Sequence, residues 1–148
     1  MKKMKMMLVD DEERFLSTAK KLLEKKGYDV VTASSGAEAL EKIRVQNIHV
    51  VILDVKMPGM DGIATLKEIK KRFPLTEVIM LTGHATMESA VDGLKSGAID
   101  YLTKPADINE IIQKAEQAFE KRKDLEEKIR VARMRKIMKS PSEIIQDS

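Results

Sequence analysis

The chain has 148 residues, a formal net charge of +3 at pH 7 and no Cys, which excludes disulfide frameworks, Cys-ligated zinc and thiol nucleophiles. Aromatic residues make up 3% of the chain and Trp is absent, so we expect no base-stacking surface or aromatic ligand cage. No apolar run approaches the ~20 residues of a membrane span, and the apolar stretch before Asp10 is too short for a signal peptide. We therefore expect a cytoplasmic protein without a membrane span.

Five short apolar runs alternate with segments of helical periodicity through the first two thirds of the chain. The runs cover residues 6–9, 28–33, 50–53, 78–81 and 99–103. Alternation of strand and helix patterns predicts an α/β fold with a parallel sheet. The third and fourth runs are continuously apolar, which is typical of central strands that helices cover on both faces.

Residues between these runs mark helix ends. Gly27 ends the first predicted helix and Pro74 the third. Ser35 with Glu38 has the spacing of a capping box, and Asp107 begins the same pattern with Glu110. We therefore predict helices that start directly after residues 35 and 107.

The last third of the chain predicts one long helix. No Gly or Pro occurs from residue 107 to 139, and alternating steps of four and three join Ile111, Ala115, Ala118, Leu125, Ile129 and Ala132. Arg122 and Lys136 are the exceptions in this seam. We predict a helix of roughly 30 residues whose first turns cover the sheet and whose remainder projects.

The basic excess of the chain lies in this extension. Residues 121–139 contain nine basic and three acidic side chains, so the rest of the chain is slightly acidic. Runs of charge are most often solvated helix faces. We therefore expect no nucleic-acid contact from this chain alone.

Polar residues follow the predicted strands at one edge of the sheet. Asp10 and Asp11 follow the first strand, Asp54 the third, and Lys104 the fifth, while Thr82 comes directly after the fourth apolar run. The carboxyl ends of parallel strands share one edge, where open α/β sheets bind ligands. This concentration of carboxylates indicates a functional site rather than a set of unrelated turns.

The residue types at this edge suggest phosphoryl chemistry. Converging carboxylates repel one another unless a cation joins them. Oxygen donors without Cys or His suit Mg²⁺, and Mn²⁺ is the other ion we consider. Carboxylates, such a cation and a Lys together form a site for a phosphoryl group, which a carboxylate can attack in line. The sequence contains no Gly-rich nucleotide-binding loop.

Four motifs together resemble a response-regulator receiver domain of two-component signalling. They are Val-Asp-Asp-Glu at 9–12, Asp-Val-Lys-Met-Pro-Gly-Met-Asp-Gly at 54–62, Leu-Thr-Gly at 81–83 and Tyr-Leu-Thr-Lys-Pro at 101–105. The resemblance implies a flavodoxin-like (βα)5 three-layer sandwich, with sheet order 2-1-3-4-5 and an extended C-terminal helix. It divides the chain into a receiver domain at 1–119 and a helical extension and tail at 120–148.

The resemblance also implies a phosphoacceptor and a metal site. Asp54 would accept a phosphoryl group from the phosphohistidine of a sensor histidine kinase or of a histidine phosphotransfer protein. Asp10, Asp11, Asp54 and the backbone carbonyl of Lys56 would bind Mg²⁺, with Asp11 as the more direct ligand of the acid pair. Such a protein is a regulatory phosphoacceptor and not an enzyme.

The remaining implied residues transmit the signal. Lys104 would pair with phosphoryl oxygens, and its peptide bond to Pro105 is expected to be cis. Thr82 and Tyr101 would act as switch residues that change the face made by the fourth helix, the fifth strand and the fifth helix. That face would bind a downstream protein or an output domain. The same face or the C-terminal helix offers a route to a homodimer.

Residues beside the switch depart from the commonest family pattern. Gly83 stands where Ala is usual and would leave access to the site open. Lys56 and His84 flank the phosphoryl position, and we interpret His84 as an exposed loop side chain.

Other functions remain open at this point. The leading interpretation is a stand-alone receiver, and the main alternative is the N-terminal receiver fragment of a larger DNA-binding transcription regulator. A Mg²⁺-dependent aspartyl phosphatase would need a second acid where Lys56 stands. A flavodoxin-like cofactor binder would need a phosphate-binding loop where Asp10 and Asp11 stand.

Overall fold

A parallel five-stranded sheet forms the centre of the computed structural model, which describes residues 4–57, 60–83 and 87–138. The strands are β1 (Lys5–Val9), β2 (Asp29–Ala33), β3 (Val50–Leu53), β4 (Glu77–Thr82) and β5 (Asp100–Thr103). They pair in the order β2-β1-β3-β4-β5, and every neighbouring pair is parallel. The predicted strands and the predicted sheet order are therefore confirmed, with strand ends that differ by no more than one residue.

Within these described ranges, five helices cover the two faces of the sheet. They are α1 (Glu13–Lys25), α2 (Gly36–Val45), α3 (Gly62–Arg72), α4 (Met87–Lys95) and α5 (Ile108–Met138). Successive side chains of a strand point to opposite faces, so Met6 and Leu8 pack in the core layer that includes α1 and α5. Met7 and Val9 pack in the layer that includes α2 and α3. The result is the three-layer flavodoxin-like sandwich that the resemblance implied.

The central position of β3 explains its continuous apolar sequence. The strand lies between β1 and β4, and all of its residues are buried. Val50 and Ile52 belong to one core layer, while Val51 and Leu53 belong to the other. A strand buried this completely holds the residue that follows it, Asp54, in a defined position.

The predicted helix starts are present, although their capping contacts differ in detail. The Ser35 hydroxyl accepts the N–H of Glu38 at 3.1 Å. The Glu38 carboxylate accepts the N–H of Ser34 at 3.0 Å, so the reciprocal bond of a capping box is shifted by one residue. This bond and the Lys42 ammonium hold the pKa of Glu38 below its usual value. At α5, the Asp107 carboxylate accepts the N–H of Asn109 at 3.3 Å.

A small antiparallel ladder follows Asp54 and was not predicted. It joins Lys56–Met57 to Met60–Asp61. Gly62 then begins α3 so close to the preceding loop that a Cβ atom there would overlap the Val55 backbone. The glycine therefore permits the chain to turn from the site directly into a helix.

The long C-terminal helix packs on the sheet only through its first half. Ile111, Ala115 and Ala118 are buried, whereas Leu125 is 45% exposed. Arg122 is buried between these two parts and donates hydrogen bonds to the Ile48 carbonyl at 2.6 Å and to other groups nearby. The helix is continuous across residue 119, so the domain boundary at 119 stays a prediction. None of the helices in the described ranges is long and apolar enough to cross a membrane.

Candidate functional site

The sheet's own hydrogen bonds position the site residues. The N–H of Asp54 donates to the Val9 carbonyl at 2.9 Å, which places Asp54 beside the residue that follows β1, Asp10. The N–H of Lys104 donates to the Thr82 carbonyl at 2.9 Å and ties the end of β5 to the end of β4. Asp54 and Lys104 therefore each continue the parallel ladder one residue beyond the end of their strand.

Three carboxylates converge at this edge. One oxygen from each of Asp10, Asp11 and Asp54 lies within 4.8 Å of the other two. Asp10 and Asp54 are buried at 1% and 6% exposure, whereas Asp11 is exposed. The Asp10 carboxylate also accepts the N–H of Glu12 at 2.9 Å, which orients it. The sequence prediction that these three residues meet is confirmed.

Lys104 supplies positive charge to the cluster. Its Nζ lies 2.5 Å from Asp10 Oδ2 and 3.6 Å from Asp54 Oδ2. A third carboxylate oxygen, from the exposed Glu12, lies 3.6 Å from the same nitrogen. Burial lowers the pKa of Lys104, but the hydrogen bond to Asp10 and the charges of these carboxylates together raise that pKa above its ordinary value. Lys104 therefore stays protonated and offsets part of the repulsion among the acids.

The donor set fits a hard divalent cation. The cluster offers carboxylate oxygens only, and one of its members, Asp11, faces solvent, where a hydrated ion can enter. Asp10 also accepts hydrogen bonds from Lys104 and from the Glu12 N–H, so a cation would compete with these donors for the Asp10 oxygens. Lys56 lies two residues beyond Asp54 at the start of the small ladder, and the role of its carbonyl stays a prediction.

The two predicted switch residues lie in different surroundings. Thr82 is the last residue of β4 and is 3% exposed. Tyr101 lies in the edge strand β5 and is 41% exposed. Gly83 is exposed, and a Cβ there would meet Lys104 at an ordinary contact distance of 3.9 Å. His84 lies outside the described residues. The switching roles themselves stay predictions.

The structure adds two residues to which the sequence interpretation gave no role in the site. Glu12 forms the ion pair with Lys104, and the Phe15 ring lies 4.9 Å from Lys104 Nζ. In the sequence, Phe15 shares an apolar stripe with Ala19, Leu22 and Leu23, which predicts a packing role only. Asp11 precedes the start of α1 at Glu13, so helical spacing gave no signal that Phe15 would reach the site.

The fold and the charged edge together define a class of domain. A flavodoxin-like parallel sheet with a carboxylate cluster and a lysine at its carboxyl edge defines an α/β domain whose site suits a divalent cation. The family model described as the response regulator receiver domain matches residues 6–116. The chain belongs to the response regulator receiver domain family.

Relatives and solved structures agree with this family. The chain is 43% identical over 113 residues to the transcriptional regulatory protein ZraR of Escherichia coli (strain K12), which covers 76% of this chain and 26% of that protein. It therefore spans about a quarter of the length of that relative. A CheY-like receiver domain protein from Methanospirillum hungatei JF-1 has a TM-score of 0.79 at 30% identity over 83% of this chain and 98% of that chain. NtrX from Brucella abortus has a TM-score of 0.79 at 34% identity over 91% of this chain and 30% of that chain.

Proposed function

We propose that the chain is a phosphorylation-dependent switch in which Asp54 accepts a phosphoryl group. The donor is the phosphohistidine of a sensor histidine kinase or of a histidine phosphotransfer protein. The observation that carries this proposal is the buried Asp54 carboxylate, which shares an oxygen cluster with Asp10 and Asp11 and lies 3.6 Å from Lys104. A cytoplasmic location follows from the proposed kinase partner.

The chain's own residues account for the transfer step. An Asp54 carboxylate oxygen forms a bond to phosphorus while the P–N bond of phosphohistidine breaks, and its electron pair returns to the imidazole nitrogen. Lys104 shifts from Asp10 toward the new phosphoryl oxygens and neutralises part of their charge. Mg²⁺, bound through Asp11, Asp54 and the Lys56 carbonyl, would supply further charge neutralisation at the same oxygens.

The acyl phosphate then alters a surface for a partner. Thr82 ends β4 at the same edge of the sheet as Asp54. Tyr101 lies in the neighbouring strand β5, and its side chain is at the surface. Val91 and Leu94 of α4 are also partly exposed, at 41% and 43%. Movement of Thr82 and Tyr101 would change this α4–β5–α5 face, which would then bind or release a protein partner or an output domain.

The second candidate is the receiver part of a larger transcription regulator. The relation to the transcriptional regulatory protein ZraR, of which this chain spans about a quarter, favours it. The match to NtrX also extends over 91% of this chain, far enough to include much of α5. In this version the output domain follows α5, and any DNA contact belongs to that domain.

Incubation with acetyl phosphate and Mg²⁺ tests the acceptor. Intact-mass spectrometry should show the gain of one phosphoryl group by the chain and by Asp29→Asn, which removes an exposed carboxylate at the start of β2. Asp54→Asn should gain none, and omission of Mg²⁺ should slow the reaction. Labelling that persists in Asp54→Asn would contradict the assignment.

A further inference from the structure

The Lys104 ammonium contacts an aromatic ring as well as carboxylates. Phe15 lies in the first turn of α1, is partly buried, and packs against the core layer beneath that helix. Its ring centroid is 4.9 Å from Lys104 Nζ, within the range of a cation–π interaction. The ring and the carboxylates therefore share one ammonium group.

The two kinds of contact respond differently to a phosphoryl group on Asp54. The contact with Asp10, at 2.5 Å, is directional and competes with any new anionic acceptor. The attraction of the ring for the ammonium does not depend on a particular N–H direction. Nζ can therefore exchange one oxygen partner for another while it stays close to Phe15.

We propose that Phe15 is a positioning residue for phosphotransfer, because its ring holds the Lys104 ammonium beside Asp54 while that ammonium changes oxygen partners. The inference rests on the proposed function of Asp54. Without the ring, Lys104 keeps its charge but samples positions farther from the reacting oxygens, so the transition state loses part of its stabilisation.

Three substitutions at Phe15 distinguish the effect of the aromatic ring from that of an apolar side chain. Phe15→Leu keeps an apolar side chain and removes the ring, and Phe15→Met does the same with an unbranched chain. Phe15→Tyr keeps the ring. The matched control is Phe119→Leu, because Phe119 packs against the same core layer and also lies near an ammonium, Lys123 Nζ, at 5.5 Å from its ring centroid.

The readout is the rate of phosphorylation by acetyl phosphate in saturating Mg²⁺, measured over a range of donor concentrations. Phe15→Leu and Phe15→Met should lower the maximal rate about three- to tenfold, within the span expected for one cation–π interaction, with little change in the half-saturating donor concentration. Phe15→Tyr and Phe119→Leu should stay near the unmodified chain. The upfield ring-current shift of the Lys104 ε-protons should disappear in Phe15→Leu and persist in Phe15→Tyr.

Three results would overturn the inference. They are an unchanged maximal rate in both ring-deleted variants, an equal loss in Phe119→Leu, or a Phe15→Tyr variant as slow as Phe15→Leu. Failure of the unmodified chain to accept any phosphoryl group would instead overturn the function proposed for Asp54. The two failures are therefore distinguishable in one set of measurements.

Discussion

At the scale of single residues, the site is a balance between buried negative charge and one ammonium. Asp10 and Asp54 are almost fully buried, and each has an ion pair with Lys104. A buried carboxylate without a cation would be costly to fold, so the site depends on Lys104 and on any ion that Asp11 helps to bind. The same balance makes the site responsive to an added phosphoryl group.

The sequence was enough to predict which residues meet here, but not all of their contacts. Asp10, Asp54 and Lys104 follow parallel strands, so the strand pattern alone brings them to one edge. The contact of Phe15 with Lys104 depends on the rotation of α1 and on side-chain conformations that no local pattern determines.

The pKa of Tyr28, the residue directly before β2, tests a contact with α5 that lies away from the site. Its hydroxyl donates a hydrogen bond to the Glu116 carboxylate of α5. Burial, followed by this hydrogen bond and the charge of Glu116, raises the pKa of Tyr28 from 10.0 to about 12. Because the folded-state pKa is raised, the contribution to stability is fully present below pH 10 and is lost as the pH rises toward 12.

Tyrosinate absorbance measures this directly, since the chain has two Tyr and no Trp. The absorbance change that is present in the unmodified chain and absent in Tyr28→Phe is the component that belongs to Tyr28. Its midpoint should lie near pH 12. Glu116→Gln should shift that component toward lower pH. A component that titrates near 10.0, or one that Glu116→Gln leaves in place, would contradict the contact.

At the scale of secondary structure elements, α5 is the helix whose contacts with the rest of the fold were predicted least completely from the sequence. Its length and seam were predicted, but Arg122 was treated as an exception to the seam. The structure buries Arg122, whose guanidinium donates to the Ile48 carbonyl and to Asn47 Oδ1 at 2.8 Å while Nε contacts Glu126 at 2.7 Å. A polar residue in an apolar pattern can thus anchor a helix when backbone carbonyls face it.

Helix rotation was also only partly predictable. The apolar spacing of the first helical segment includes both Leu22 and Leu23, yet Leu22 is 44% exposed and Leu23 is fully buried. Adjacent helical residues point about 100° apart, so only one of them can face the sheet squarely. Leu16 is buried two helical turns before Leu23 on the same face.

Arg122→Met tests the anchor. The variant removes the charged donors to the Ile48 carbonyl and to Asn47, although Thr76 still donates to that carbonyl at 3.0 Å. We expect a loss of about 2 kcal/mol in the free energy of unfolding, measured by urea denaturation. Amide hydrogen exchange should also become faster from residue 119 onward.

Arg130→Met is the matched control, because Arg130 forms an ion pair with Glu127 in which both side chains are exposed. An exposed pair contributes about 0–1 kcal/mol, so this variant should remain close to the unmodified chain. If the two variants lose the same stability, Arg122 does not anchor the helix.

At the scale of the whole molecule, the sheet holds the reacting groups and α5 extends beyond the body. The seam residue Leu125 is 45% exposed, and Met134, Ile137 and Met138 farther along are 46%, 78% and 79% exposed. Grouped apolar side chains on a surface mark interaction sites, so we take this part of α5 as the candidate surface for pairing with a second chain. The fold class was predictable from the alternation of strand and helix patterns alone. A partner for this extension was not predictable, because the contact depends on the surface of a second chain.

We predict a dimer that responds to phosphorylation. Light scattering should show a larger mass when beryllofluoride, a mimic of the acyl phosphate, is added with Mg²⁺. Leu125→Glu should reduce that change because it places a charge within the apolar seam. A monomer of constant mass under both conditions would exclude the predicted dimer.

The most direct test of the central claim locates the phosphoryl group itself. The chain is incubated with acetyl phosphate and Mg²⁺, reduced with borohydride, which converts an aspartyl phosphate to homoserine, and then analysed by peptide mass spectrometry. The proposed function predicts homoserine at position 54, and none at Asp10 or Asp11. Reduction at either of those residues, or no reduction anywhere after full incubation, would contradict it.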